Sequence, residues 1–108
     1  MVMLKNKVLA NQWSIPGIYD IYKKVNGKGS WKSTFNQKSI WYNLEYREWC
    51  IGNLSDIGTK VAEIRTIGNQ ADKSPQDVPN NRWTYHDGKE FWRAESGDVN
   101  VECIGSET

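Results

Sequence analysis

This 108-residue chain contains only four leucines: Leu4, Leu9, Leu44 and Leu54. A helical core draws on many aliphatic residues at 3.6-residue spacing, and no long stretch with that period stands out. His86 is the single histidine, which leaves little scope for acid–base or nucleophilic machinery. A lone histidine beside Asp87 at a turn reads as a solvated turn residue. The two cysteines, Cys50 and Cys103, lie far apart and belong to no CxxC pair, so zinc-finger spacing is absent. No apolar run approaches the ~20 residues of a membrane-spanning helix. Lys5 and Lys7 interrupt the opening MVMLKNKVLA before it reaches the ~7–15 apolar residues of a secretory signal. A soluble chain with a cytoplasmic location is therefore the expectation, and the sequence equally suits a module cut from a longer protein. Basic and acidic residues number 14 and 13, for a net charge of +1. That balance offers neither the basic footprint of a nucleic-acid binder nor an acidic tail.

Aromatic residues are abundant instead: six Trp, five Tyr and two Phe. Each buries roughly 150–250 Å², so a few of them can build a small core. The chain is polar for a globular protein, with 25% charged residues, but too aromatic for a disordered one.

Period-2 alternation and turn dipeptides organise the sequence. Residues 17–24, GIYDIYKK, read as a strand, and Asn26-Gly27 after them is a strong hairpin signal. In residues 30–35, SWKSTF, Trp31, Ser33 and Phe35 alternate with Lys32 and Thr34. A second hairpin is expected from 39–42 and 47–51; closed symmetrically about Glu45, it would set Trp41 opposite Trp49. A slip of one residue would send those rings to opposite faces. Residues 59–67, TKVAEIRTI, favour a strand over a short amphipathic helix. The polar, proline-containing stretch 68–81 reads as a mobile surface loop. Asp87-Gly88 signals a third hairpin between RWTY and EFWR, and Val99, Val101 and Cys103 alternate with polar residues in a last strand. The fold class expected is all-β: a small antiparallel meander of seven or eight short strands forming a barrel or two-layer sandwich. Residues 15–104 would form the domain, 1–14 a tail or short helix, and 105–108 a C-terminal tail.

The order of these landmarks resembles a module repeated in many protist, algal and marine-invertebrate proteins, for which no agreed functional name exists. Its pattern is a G-x-Y start, an NG hairpin, an aromatic, a tight I-x-W…W-x-I hairpin, a variable loop, prolines, a Trp and a closing strand. Gly17 and Tyr19, Asn26 and Gly27, Trp31, Ile40 and Trp41, Trp49 and Ile51, Pro75, Pro79, Trp83, Val99 and Val101 follow that order. The charged TKVAEIRTI departs from it. The resemblance implies an accessory or interaction unit in longer proteins and no catalytic activity.

Other chemistry finds no motif. Asp72, Asp77 and Asp87 do not form a DxDxDG register, and Gly27 and Gly29 precede a strand rather than a phosphate-binding helix. No carboxylate pair stands out for glycoside hydrolysis. Cys50 and Cys103 read either as buried free thiols, which is the expectation, or as one long-range disulfide worth on the order of 4 kcal/mol. Asn53-Leu54-Ser55 fits a glycosylation sequon, a triplet that recurs by chance. What remains is aromatic surface. Phe91-Trp92 and Trp41-Tyr42 are adjacent pairs, and neighbours in a strand point to opposite faces, so one of each pair leaves the core unless both faces are covered. The expected function is a non-catalytic module that binds a protein or peptide through Tyr46, Arg47, Trp92 and Arg93, since aromatic residues and Arg concentrate at interface centres. Carbohydrate stacking on Trp or Tyr is the alternative, and a small Cys/His-dependent enzyme ranks below both. No cofactor, metal, nucleic acid or membrane insertion is expected.

Overall fold

Asn26 and Gly27 form the two-residue loop joining β2 (Gly17–Val25) to β3 (Lys28–Ser33). Both have positive φ, 56° and 85°, as a type I′ turn requires. The Asn26 amide also donates to Tyr42 O at 2.7 Å and Gly58 O at 3.2 Å, tying the hairpin tip to two other segments. The computed structural model describes residues 2–6, 17–79, 82–86, 91–93 and 99–103.

Nine strands are present among the described residues, all in one antiparallel sheet ordered β8-β7-β6-β5-β4-β3-β2-β1-β9. The others are β1 (Val2–Asn6), β4 (Lys38–Asn43), β5 (Glu48–Asn53), β6 (Ile64–Thr66), β7 (Trp83–His86), β8 (Phe91–Arg93) and β9 (Val99–Cys103). The chain is thus an all-β meander, with the last strand returned to pair with the first. Val2–Asn6 corrects the expectation of a tail or short helix: it is a strand between β2 and β9. Its backbone groups are satisfied on both sides, which no lone tail could achieve. Residues 59–67 deliver only the three-residue β6, and the remainder is irregular.

Neither the barrel nor the two-layer sandwich appears. Among the described residues the ladder is open, with β8 and β9 at its ends. The sheet nevertheless curls. β9 and β5 are five places apart, roughly 24 Å in a flat sheet, yet one loop bridges them. The Trp49 indole of β5 donates to Lys73 O at 2.8 Å, and the 3-10 turn Pro75–Asp77 a few residues on lies against β9. Val78 from this loop and Val101 from β9 join Tyr19, Ile40, Tyr42, Trp49, Ile51, Ile64 and Trp83 in one buried cluster. Residues 68–79 are therefore a packed wall rather than a mobile surface loop: Gln70, Pro75 and Val78 are buried.

The β4–β5 hairpin takes the register one residue away from the symmetric case, a choice the sequence left open. Tyr42 faces Trp49 and Trp41 faces Cys50. The four-residue loop 44–47 accounts for the offset. The Asn43 side chain accepts from the Tyr46 amide at 3.1 Å and holds the first turn, and Arg47 takes φ 57° to bring the chain back. Residues opposed in register share a face. Ile40, Tyr42, Trp49 and Ile51 thus enter the main core, while Trp41, Ser39, Cys50 and Gly52 line the other side.

That other side is covered as well. Residues 57–63 fold over it, held by the Trp41 indole donating to Thr59 O at 2.8 Å, by the Glu63 amide donating to Ile51 O at 2.9 Å, and by the Lys38–Glu63 ion pair at 2.5 Å. Gly52 permits this close approach: a Cβ there would lie 3.2 Å from both Ala62 Cα and the Trp41 ring. Trp41 and Tyr42, adjacent in sequence, are in consequence both buried. For Phe91 and Trp92 the same question lies outside the described side chains.

Candidate ligand cleft

The curl of the sheet leaves an open cleft of about 370 Å³ between β3 and the packed loop. Its floor is aromatic. Trp31, half-buried, meets the buried Trp49 at a centroid distance of 5.9 Å, with the rings tilted by 58°. Trp49 in turn meets Tyr42 edge-on at 5.4 Å. These geometries fall in the favourable range for aromatic pairs and lock the floor in place. Lys28 and Gly29 form one side, while Asp72, Lys73 and Asp77 form the other.

Each wall is fixed by its own backbone. On the loop side, the Gln70 amide donates to Arg47 O at 2.8 Å and the Gln70 side chain to Ile67 O at 2.8 Å. Asn69 Oδ1 accepts from the Ala71 amide at 2.9 Å. Pro75 starts the 3-10 turn where its missing N–H costs nothing. On the strand side, Lys28 follows the Asn26-Gly27 turn, and its ammonium sits 5.2 Å from the Tyr42 centroid. The rim carries both signs of charge and most of the lining that solvent reaches is polar, with Lys73 and Asp72 3.9 Å apart, the lysine half-buried and the aspartate largely in water. Such a depression can anchor one apolar or ring-shaped group and orient charged or hydroxylated neighbours.

The residues expected from sequence fall in two places. Tyr46 and Arg47 are exposed on the β4–β5 turn, and Arg47 joins the cleft wall through its carbonyl bond to Gln70. Trp92 and Arg93 belong to β8, across from Tyr85 and Thr84. That edge strand lies three places from β5, roughly 14 Å across the sheet, and its side chains lie outside the described residues. The structure does not bring the two pairs together on the backbone. Sequence reasoning missed Trp31, Lys28, Asp72 and Lys73 as a group. The alternation of Trp31 was visible, but its partners come from a loop forty positions on.

Cys50 is a buried free thiol, which removes the disulfide alternative. Burial, followed by the nearby Glu48 carboxylate, pushes its pKa from 9.0 up to about 12, with Arg65 opposing. Burial likewise raises the Glu48 carboxyl, again against Arg65, and lifts the Tyr19 hydroxyl well above its usual value, with Glu63 adding to the effect. In the unfolded chain the Cys50 thiol ionises near 9, whereas the folded form keeps its proton to about 12. The unfolded state then binds fewer protons, so folding stability falls as pH rises across that window. Urea midpoints at pH 8 and pH 11 should show this loss, and Cys50→Ala should reduce it; Tyr19 sustains part of it above pH 10. A Cys50 that reacted with a thiol reagent in native buffer at the rate of a free thiol would refute the burial. Cys103 lies opposite Val2 in β9, and His86 opposite Phe91 in β7; their side chains lie outside the described residues.

Among the described residues, no cluster of three or more His, Cys, Asp or Glu is placed to hold a metal ion. No described helix is long and apolar enough to cross a membrane. No protein-family profile matches the chain, and no solved structure matches it. A stretch of 74 residues, 67% of the chain, is 31% identical to the envelope glycoprotein gp160 of human immunodeficiency virus type 1 group O, isolate MVP5180. The chain spans only 8% of that glycoprotein's length.

Proposed function

We propose that the protein is a non-catalytic binding module that takes a protein or peptide partner at the Trp31–Trp49 cleft. The observation that carries this reading is the cleft itself: a rigid aromatic floor rimmed by Lys28 and Lys73 on one hand and Asp72 and Asp77 on the other. An apolar side chain of the partner would seat over Trp31, with flanking charges of either sign meeting the rim. Tyr46 and Arg47 extend the contact from the neighbouring turn, while Trp92 and Arg93 enter the reading by residue type. The sheet's curl, with the loop 68–79 bridging β5 and β9, is the barrel-like frame on which it rests. The buried, protonated Cys50 argues against a thiol enzyme. This role agrees with the accessory unit that the sequence resemblance implies. The gp160 likeness, confined to a small part of that protein, carries no activity over.

Carbohydrate is the second reading, favoured by the half-buried Trp31 beside two aspartates able to accept sugar hydroxyls. Selection from a displayed random-peptide library, run beside a neutral-glycan panel, decides between them. Peptides are expected to bind and to perturb the Trp31 indole resonance, and Trp31→Ala is expected to weaken binding by about 30-fold, a loss of about 2 kcal/mol typical of a central anchor. Glycan binding with no peptide selected would replace the first reading by the second. Peptide binding indifferent to Trp31→Ala would move the site elsewhere.

A further inference from the structure

A second surface lies on β2 and β3, apart from the cleft. In register, Ile21 faces Trp31 and Lys24 faces Gly29, so Tyr22 and Lys23 together oppose the single residue Ser30. This β-bulge is clamped by the buried Ser30 hydroxyl donating to Lys23 O at 2.6 Å. A bulge re-aims side chains that strict alternation would separate. Here it gathers two cations on one ring: the Lys23 and Lys32 ammonium groups lie 5.5 and 5.4 Å from the Tyr22 centroid. Those distances keep the two like charges within about 11 Å of each other. Tyr22 is 40% exposed. Lys23, Lys24 and Lys32 are exposed too, and Asp20, across from Lys32, is the one acid in β2 and β3.

We propose that this bulge is a site for an acidic polysaccharide, a sugar ring stacking on Tyr22 while its carboxylates or sulfates meet Lys23 and Lys32. Convergent cations around an exposed ring are complementary to a ligand that carries flat apolar faces and repeated anions on one chain. An anionic bilayer fits less well, because the apolar groups it would need point elsewhere. Ile21 shares the face of Trp31, and Phe35, 89% exposed, sits past the far end of β3. A nucleic acid would call for a denser basic footprint than a chain of net charge +1 supplies. The inference does not depend on the cleft being a peptide site.

Titration of the full chain with a heparin octasaccharide, followed by amide NMR shifts, tests the proposal. Shifts are expected at residues 20–24 and 30–33. Lys23→Gln with Lys32→Gln is expected to weaken binding about tenfold, and Tyr22→Leu about fivefold. Tyr22→Phe and Trp31→Ala should leave binding unchanged. These positions are exposed apart from Trp31, and the amide spectrum of each variant reports whether its fold is intact. Absence of binding would overturn the proposal. So would binding indifferent to Tyr22→Leu or lost in Trp31→Ala, or equal or tighter binding of polyglutamate, single-stranded oligo-dT or phosphatidylserine vesicles.

Discussion

Trp49→Ala is expected to cost ~3–5 kcal/mol of folding free energy, as large-to-small changes of buried aromatics do. A domain of this size has only ~5–15 kcal/mol to lose. The side chain is 2% exposed, contacts Trp31 and Tyr42, and donates its indole N–H to Lys73 O at 2.8 Å. Deletion thus opens a void and orphans a carbonyl of the wall loop at once. With a urea m-value of ~1–3 kcal/mol/M, the unfolding midpoint should fall by about 2 M. Hydrogen exchange in the same variant should quicken first at the amides of Gln70, bonded to Arg47 O, and Lys73, bonded to Gln70 O. Trp49→Phe keeps most of the volume and loses the indole donor, so its cost should be ~1–3 kcal/mol. A Trp49→Ala protein as stable as the wild type would mean that this core is not the one described.

Trp41→Ala should cost a similar ~3–5 kcal/mol but with a different footprint. Trp41 is fully buried on the opposite side of β4, under residues 57–63, and its indole donates to Thr59 O at 2.8 Å. Its loss should release that cover, so exchange should accelerate at the Glu63 amide, bonded to Ile51 O, before the wall loop responds. The two tryptophans share a hairpin, yet they hold down separate segments on separate faces. A Trp41→Ala variant that loosened the 68–79 loop first would contradict that division.

Several parts of this architecture were legible in the sequence because they rest on local backbone chemistry. Asn26-Gly27 can adopt φ > 0 at both positions, so its hairpin needs no tertiary partner to be specified. β7 and β8 do pair antiparallel on either side of Asp87-Gly88, while residues 87–90 themselves lie outside the described residues. The alternation of Val99, Val101 and Cys103 likewise marked β9, and Val101 is buried as the pattern required. The β4–β5 register was not legible. It turns on Arg47 accepting a left-handed φ that favours glycine, and on the Asn43 side chain capping the turn. Propensity alone argues against the first and is silent on the second. The cleft was legible only in fragments, since its floor comes from β3 and β5 and its far wall from a polar segment that composition alone describes as solvent-exposed.

An aromatic, antiparallel β meander follows from the sequence alone, because turn dipeptides, period-2 alternation and the scarcity of leucine act locally or by count. Tertiary structure alone decided where the aromatics go. Trp41 and Tyr42 are both buried because one loop covers each face of the hairpin. Burial depends on which distant segment arrives to exclude water, and that arrival is a property of the whole chain's packing, which no local pattern encodes.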